Sequence, residues 1–246
     1  MPFTASHAAA VLPFGRRLSA SALVIGAMLP DLPFYMPLPM GDTHTLAAMV
    51  SVNLVAGLAL FVIWHGFLTR PLDWFAPSAI RRRLSPSQQP GLRRRLNSPA
   101  RVVGVFASLL LGQATHLFFD QFTHAGTVVT GRFSVFEASV LGMPFYYFLQ
   151  VALSVAGLVL IAAWTLRWYR TSATYPLDRE PSRLGKLAAR GTVVGGSALA
   201  MVLTAQATAG AGANTLVVHS AIAAVAAAGV GALLVATVWH VNNSVT

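Results

Sequence analysis

Four stretches of 18 or more residues contain no Asp, Glu, Lys or Arg: residues 43–69, 102–119, 138–166 and 191–246. A bilayer core is crossed by ~20 apolar residues in a helix. The first three stretches therefore predict one span each, over residues 45–69, 101–120 and 144–168. The fourth is long enough for two, 191–210 and 214–240, turning at Gly210-Ala211-Gly212-Ala213-Asn214. Upstream lie two shorter apolar segments, residues 1–14 and 19–29, joined by Gly15-Arg16-Arg17 and stopped by Pro30-Asp31-Leu32-Pro33. The first is too short to cross. The pair predicts a short helical hairpin, whose arms bring His7 level with Asp31 because each rises ~1.5 Å per residue. The alternative is a second arm that continues to Pro37 and spans.

The expected fold is all-α and polytopic, with five to six transmembrane helices and an N-terminal short helical hairpin. Residues 1–170 form a membrane domain, interrupted by a polar, arginine- and proline-rich loop at 70–100 with a surface helix near 77–84. Residues 171–190 are a linker and residues 191–246 a C-terminal transmembrane hairpin. Gly191 and Gly195 make a small-xxx-small pattern suited to close helix packing. Trp164, Trp168 and Tyr169 are placed as an interfacial belt.

Composition agrees with this pattern. The chain is 55% hydrophobic and 10% charged, where soluble domains carry ~25% charged residues. There is no cysteine, which excludes disulfides and thiolate metal sites. No basic region precedes the first apolar stretch, so no cleaved signal peptide is expected. The net charge of +10 is concentrated between Arg70 and Arg101 and between Arg167 and Arg190. These clusters flank spans. They set topology, with the arginine-rich loops cytoplasmic, and meet anionic lipid rather than nucleic acid.

The chemistry concentrates where the 101–120 span ends. His116, Asp120 and His124 recur every four residues, which puts them on one helix face. Leu117, Phe118, Phe119 and Phe122 take the opposite one. Ionisable groups in a span are costly without a partner, and a divalent cation suits two imidazoles and a carboxylate. A regular helix separates His116 from His124 by ~12 Å. Either two ions sit there with Asp120 bridging, or the helix ends near Gln121 and folds His124 back. The threading carries Asp31 and His44 to the same outer edge, and His7 joins them through the hairpin. Bland readings stand beside this one. His116 and Asp120 form an intrahelical pair, Asp31 ends a Pro-Asp turn, and Asp42 caps the next helix. His65, His219 and His240 lack nearby carboxylates and read as packing residues. Arg132 and Glu137 lie in an outer loop, with Glu137 facing water. His7, His44, His116 and His124 each follow Ser or Thr, whose hydroxyl can orient a ligand from behind.

The segments Met1–Pro13, Met28–Phe34, Thr43–Leu46 and Thr115–Gly126 together resemble a bacterial integral-membrane family of unknown function, over the first ~170 residues. The same skeleton is similar to the metal-dependent hydrolases of the bacterial inner membrane. More distantly, its order His, Asp, His, His-xxx-Asp, His resembles that of zinc-dependent phospholipase C. The resemblance implies His7, Asp31, His44, His116, Asp120 and His124 as metal ligands. The phospholipase pattern also has an N-terminal Trp and a closing His-xxx-Glu; here the first residue is Met1 and no His-xxx-Glu follows His124.

The expected function is metal-dependent hydrolysis of an ester or phosphoester, lipid or lipid-linked, at the extracytoplasmic membrane boundary. One or two divalent ions are expected, zinc first, with manganese or iron as alternatives. Asp31 or Asp120 holds the water. A metal or proton transporter and a scaffold with a structural metal are the competing expectations.

Overall fold

The computed structural model of the chain describes residues 3–84, 90–177 and 179–244. Residues 85–89 of the arginine-rich loop, Asp178 of the linker, the Met1-Pro2 opening and the last two residues lie outside the described set. The fold is helical except for a two-residue ladder, Ser139–Val140 paired with Met143–Pro144. Its turn uses Leu141 and Gly142, both with positive φ, the geometry a tight hairpin requires. Five helices are long and apolar enough to cross a membrane: Val52–Phe75, Pro99–Arg132, Phe145–Thr171, Arg183–Ala207 and Thr215–Asn243. The protein is thus an all-α polytopic membrane protein; among the described residues Ala20–Tyr35 is a shorter apolar helix, and it packs on the first arm.

The chain packs as two units, each considered on its own. The first comprises residues 1–33, 39–61 and 93–171. Its centre is the contact between Ala20–Met28 and Pro99–Thr123. Glycines make the contact close: a Cβ on Gly112 would lie 2.3 Å from the Leu23 carbonyl oxygen, and one on Gly26 2.3 Å from that of Leu109. The Pro99–Thr123 helix starts where Ser98 caps the Arg101 amide and Pro99 needs no donor. At ~1.5 Å per residue it is long enough to cross a ~30 Å core. Its buried stripe runs Val105, Ser108, Leu109, Gly112, Gln113, His116, Asp120 and Thr123. Phe118, by contrast, is 58% exposed. Polar groups face inward and apolar ones outward, as a lipid solvent demands. The Phe145–Thr171 helix packs on the first arm at Gly157, where an added Cβ would come within 2.8 Å of Ser6.

The helix expected at 45–69 is interrupted. It runs Leu46–Val50, breaks at Ser51 (φ −122°, ψ −104°) and resumes as Val52–Ile63. The Ser51 hydroxyl donates to the Ala47 carbonyl at 2.6 Å, a local bond that competes with the helical ladder. Thr45, not Asp42, caps this helix by accepting the Ala48 amide.

The second unit comprises residues 34–38, 62–92 and 172–246. The helices Gly196–Ala207 and Ala213–Ser244 pack as a hairpin. The close approach differs from the expected one. A Cβ added at Gly191 or Gly195 would meet nothing within 4 Å, whereas one on Gly231 would come within 3.1 Å of Thr192 and Val193. A short surface helix covers Ser78–Arg81, and Arg81 bonds the Arg179 carbonyl and sits 5.1 Å over the Trp74 ring. His240 stacks on Phe67 and bonds its carbonyl at 3.0 Å, and His219 bonds the Thr215 carbonyl at 2.9 Å. His240 is a packing histidine, whereas His219 is exposed and bonds back to its own helix.

Candidate metal centre

All six side chains singled out from the sequence meet inside the first unit. His116 sits two turns before the end of Pro99–Thr123 and is fully buried. The Gly26/Gly112 contact brings its Nδ1 to the Ala27 carbonyl oxygen at 2.8 Å. A carbonyl only accepts, so Nδ1 carries the proton and donates. The lone pair is then on Nε2, which points toward Asp31 and Asp120.

Asp31 closes the turn Leu29–Asp31 and is 1% exposed. The Thr4 hydroxyl donates to its Oδ2 at 2.5 Å, leaving Oδ1 to face His44 Nε2 at 3.3 Å and His116 Nε2 at 3.7 Å. His44 is exposed at the edge of the cluster and held from behind. The Thr43 hydroxyl donates to the Pro30 carbonyl at 2.6 Å, so its oxygen accepts at His44 Nδ1, 3.3 Å away. Asn53 donates to the Thr43 carbonyl, and the His44 amide donates to Asp42 Oδ1. Asp42 thus fixes the approach to His44. Asp120, one turn past His116, uses both oxygens. Oδ2 lies 3.1 Å from His116 Nε2 and 3.6 Å from His44 Nε2. Oδ1 lies 3.7 Å from His7 Nε2 and 3.4 Å from His124 Nδ1.

His7 ends the first helical turn, Thr4–His7, and stacks on the His116 ring with centroids 3.9 Å apart. Burial, reinforced by the neighbouring His116, pushes its imidazole down from 6.5 to about 4, against the pull of Asp120 and Asp31. It is neutral at physiological pH, the state a metal ligand needs. His124 is the first residue past the helix and has extended backbone (φ −123°, ψ 143°). The expected early helix end therefore comes two residues later than Gln121. The turn still brings Nδ1 back to Asp120, beside the Thr123 hydroxyl at 3.2 Å.

Two groups have ligand atoms all within 4.8 Å of one another: His7, Asp31 and His116, and His44, His116 and Asp120. Both include His116, whose only free nitrogen is Nε2. His124 belongs to neither. Three buried atoms facing this space, His7 Nε2, His116 Nε2 and Asp120 Oδ1, have no hydrogen-bond partner. For the neutral imidazole, the 3.1 Å approach of His116 Nε2 to Asp120 sets a lone pair against a carboxylate, acceptor against acceptor; only a second ring proton or a cation relieves it. A cation between them removes that conflict, and three imidazole nitrogens with two carboxylates form a donor set suited to zinc, manganese or iron.

Three supporting groups were not legible beforehand. Thr4 clamps Asp31 across 27 residues. The Ala27 carbonyl has no side-chain signature at all. Asn53 reads as an isolated polar residue, yet it anchors the His44 loop. The Ser/Thr preceding each histidine was a half-signal. Thr43 and Thr123 touch their histidines, whereas the Thr115 hydroxyl bonds the Gly112 carbonyl and Ser6 packs on Gly157. Arg132 and Glu137 are both exposed, outside the cluster.

The family model described as domain of unknown function DUF4184 matches residues 1–240. No curated protein and no solved structure matches the chain.

Proposed function

The chain belongs to the DUF4184 family, which carries no activity with it, and from the geometry of the site we propose a membrane-embedded, metal-dependent hydrolase acting on an ester or phosphoester. The observation that carries this reading is the locked His116 tautomer. Its Nδ1 is committed to a backbone carbonyl, and its lone pair is aimed at two carboxylates and two further imidazoles in a buried pocket. Burying that arrangement without a cation is costly.

His7, Asp31, His44, His116 and Asp120 would hold the ion. Because His116 offers one nitrogen to both groups, a single ion is favoured over a bridged pair. When bound, a divalent ion lowers the pKa of water and polarises an ester or phosphoryl oxygen. The side chains divide the remaining work. Asp31 has one oxygen tied to Thr4 and the other facing the ligand set, which suits a fixed ligand. Asp120 has a second oxygen, Oδ1, that is buried, hydrogen-bonds nothing and lies between His7 and His124. It accepts the proton of the attacking water, as the new oxygen–carbon or oxygen–phosphorus bond forms. It returns that proton to the leaving alkoxide as the ester bond breaks. His124, 30% exposed at its side chain and 3.4 Å from Asp120 Oδ1, lies on the route for that proton to solvent.

A helix that crosses the bilayer ends near the head groups, and a site in the last two turns of Pro99–Thr123 would suit a lipid or lipid-linked substrate. With the arginine-rich loops cytoplasmic, it opens on the extracytoplasmic side of a bacterial inner membrane. The order of His and Asp along the sequence, which resembles that of membrane-bound metal-dependent hydrolases and of zinc-dependent phospholipase C, is consistent with this reading. A transport reading needs a polar route beyond the cluster. There, Ser108, Gln113 and Asn53 donate to backbone carbonyls, among fully buried Leu23, Leu29 and Leu109.

The test is hydrolysis of p-nitrophenyl esters and bis-p-nitrophenyl phosphate by purified protein loaded with zinc or manganese. Turnover lost on chelation, regained on metal addition and absent in H116A and D120A is the expected result. Zinc uptake into proteoliposomes with no hydrolysis would transfer the site to transport.

A further inference from the structure

Two cavities lie along the first helical arm and the Phe145–Thr171 helix, both within the first unit. The nearer one, of about 160 Å³, is walled by His7, Thr123, Phe119, Leu153, Ala156 and Leu160. It begins at the metal centre itself: His7 belongs to the ligand set, and Thr123 touches His124. Apart from Ser6 and Gly157, its remaining wall is aliphatic or aromatic. The second, of about 490 Å³, follows in register. It is walled by Val11, Leu12, Val24 and Trp164, with Arg16 at its end. Leu160 and Trp164 are one turn apart, and the arm residues continue from Ala10 to Val11. On the spanning helix the lining recurs at Leu153, Ala156, Leu160 and Trp164, a single stripe ~16 Å long.

Set end to end, these two half-open hollows outline one apolar channel along the helix, an unusual feature beside a packed interior, and its wall includes Gly157. There the helix and the arm are in backbone contact, so the space on either side is held open by a rigid seam. In a bilayer the natural occupant of an apolar channel is hydrocarbon. The polar end of any molecule seated there would lie against His7 and Asp120.

We propose that this channel holds the single hydrocarbon chain of the substrate, so that the enzyme selects long-chain lipid esters or phosphoesters and presents their head-group bond to the metal centre. The inference rests on the hydrolase reading for the reaction but not for the binding. The channel lies in line with the cluster whether or not a bond is broken there. Ala156 and Ala10 face each other's cavity wall and both carry small side chains. Replacing either with a large one fills the channel.

The experiment uses the full-length protein in detergent micelles with a dodecyl phosphate that carries a mid-chain diazirine. Photolysis and peptide mapping are expected to place the label on the Phe145–Thr171 helix and residues 4–14. Unlabelled dodecyl phosphate should compete it away, and butyl phosphate should not. A156W, and separately A10L, should each reduce labelling at least tenfold while zinc content per chain stays at the wild-type level. In the hydrolytic assay, the ratio of dodecanoyl to butanoyl ester turnover should fall at least tenfold in the same variants. Labelling spread evenly over the lipid-facing helices, or undiminished in both variants, would overturn the proposal. Specific labelling without any hydrolysis or bound metal would leave the channel standing and remove the hydrolase reading.

Discussion

Gly112→Ala isolates the contact on which the metal centre is built without touching a ligand. The added Cβ would sit 2.3 Å from the Leu23 carbonyl oxygen and 2.6 Å from the Ala27 nitrogen, both backbone atoms that no rotamer change can move. Carbon contacts are comfortable at ~3.5 Å, so the two helices must part by about 1 Å. The His116 Nδ1 to Ala27 oxygen distance, 2.8 Å, would then open to nearly 4 Å, beyond any hydrogen bond. The imidazole loses the partner that fixes its tautomer, and losing such a partner weakens metal binding by roughly 10–100-fold. That corresponds to about 1.4–2.8 kcal/mol. Overpacking adds about 1–3 kcal/mol of destabilisation, which a domain of ordinary stability survives.

The assay is zinc competition against a fluorescent chelator, with helicity checked by circular dichroism. Gly104→Ala is the control: it is on the same helix with nothing within 4 Å of its Cβ, and should bind zinc like the wild type. If G112A keeps helicity and wild-type zinc affinity, the tautomer argument is wrong.

Further outcomes follow from the same geometry. Thr4→Val leaves Asp31 Oδ2 buried without its donor, and should lower stability by about 1–3 kcal/mol in a denaturant titration. His124→Ala, removing a side chain outside both ligand groups, should lower zinc affinity less than tenfold, whereas His116→Ala should lower it more than a hundredfold, both read by the same competition. The metal-free protein should lose stability as pH falls from 6.5 toward 4, because His7 takes up its proton near 6.5 when unfolded but only near 4 when folded. The unfolded chain therefore binds more protons in that window. The effect is about 3 kcal/mol at most and should vanish in His7→Gln, as measured by thermal unfolding across pH.

How much of this was legible in the sequence depends on whether the information was local. The His116/Asp120 face follows from spacing alone, and the apolar residues opposite confirmed its direction. The spans followed from stretches without charge, and the hairpin that levels His7 with Asp31 from arm lengths and two turn signals. What was hidden needed a partner from elsewhere in the chain. Thr4 reaches Asp31, Gly112 admits the backbone at Leu23 and Ala27, and Gly231 rather than Gly191 or Gly195 makes the close approach in the C-terminal hairpin. A glycine announces that a contact is permitted, not where it occurs. The break at Ser51 was hidden for a different reason. A serine in a helix interior is ordinary, and only its bond back to Ala47 shows that here it diverts the ladder. The position of His124 turned on where a helix stops, which spacing does not fix to within a residue or two.

The most direct test of the central claim is the metal content of the purified full-length protein, with the ion located by anomalous scattering. One divalent ion per chain is expected, bonded to His116 Nε2 and to a carboxylate oxygen of Asp120, and lost in H116A. A protein that takes up no zinc, manganese or iron, and whose His116 imidazole nonetheless keeps its place between Asp31 and Asp120, would contradict it.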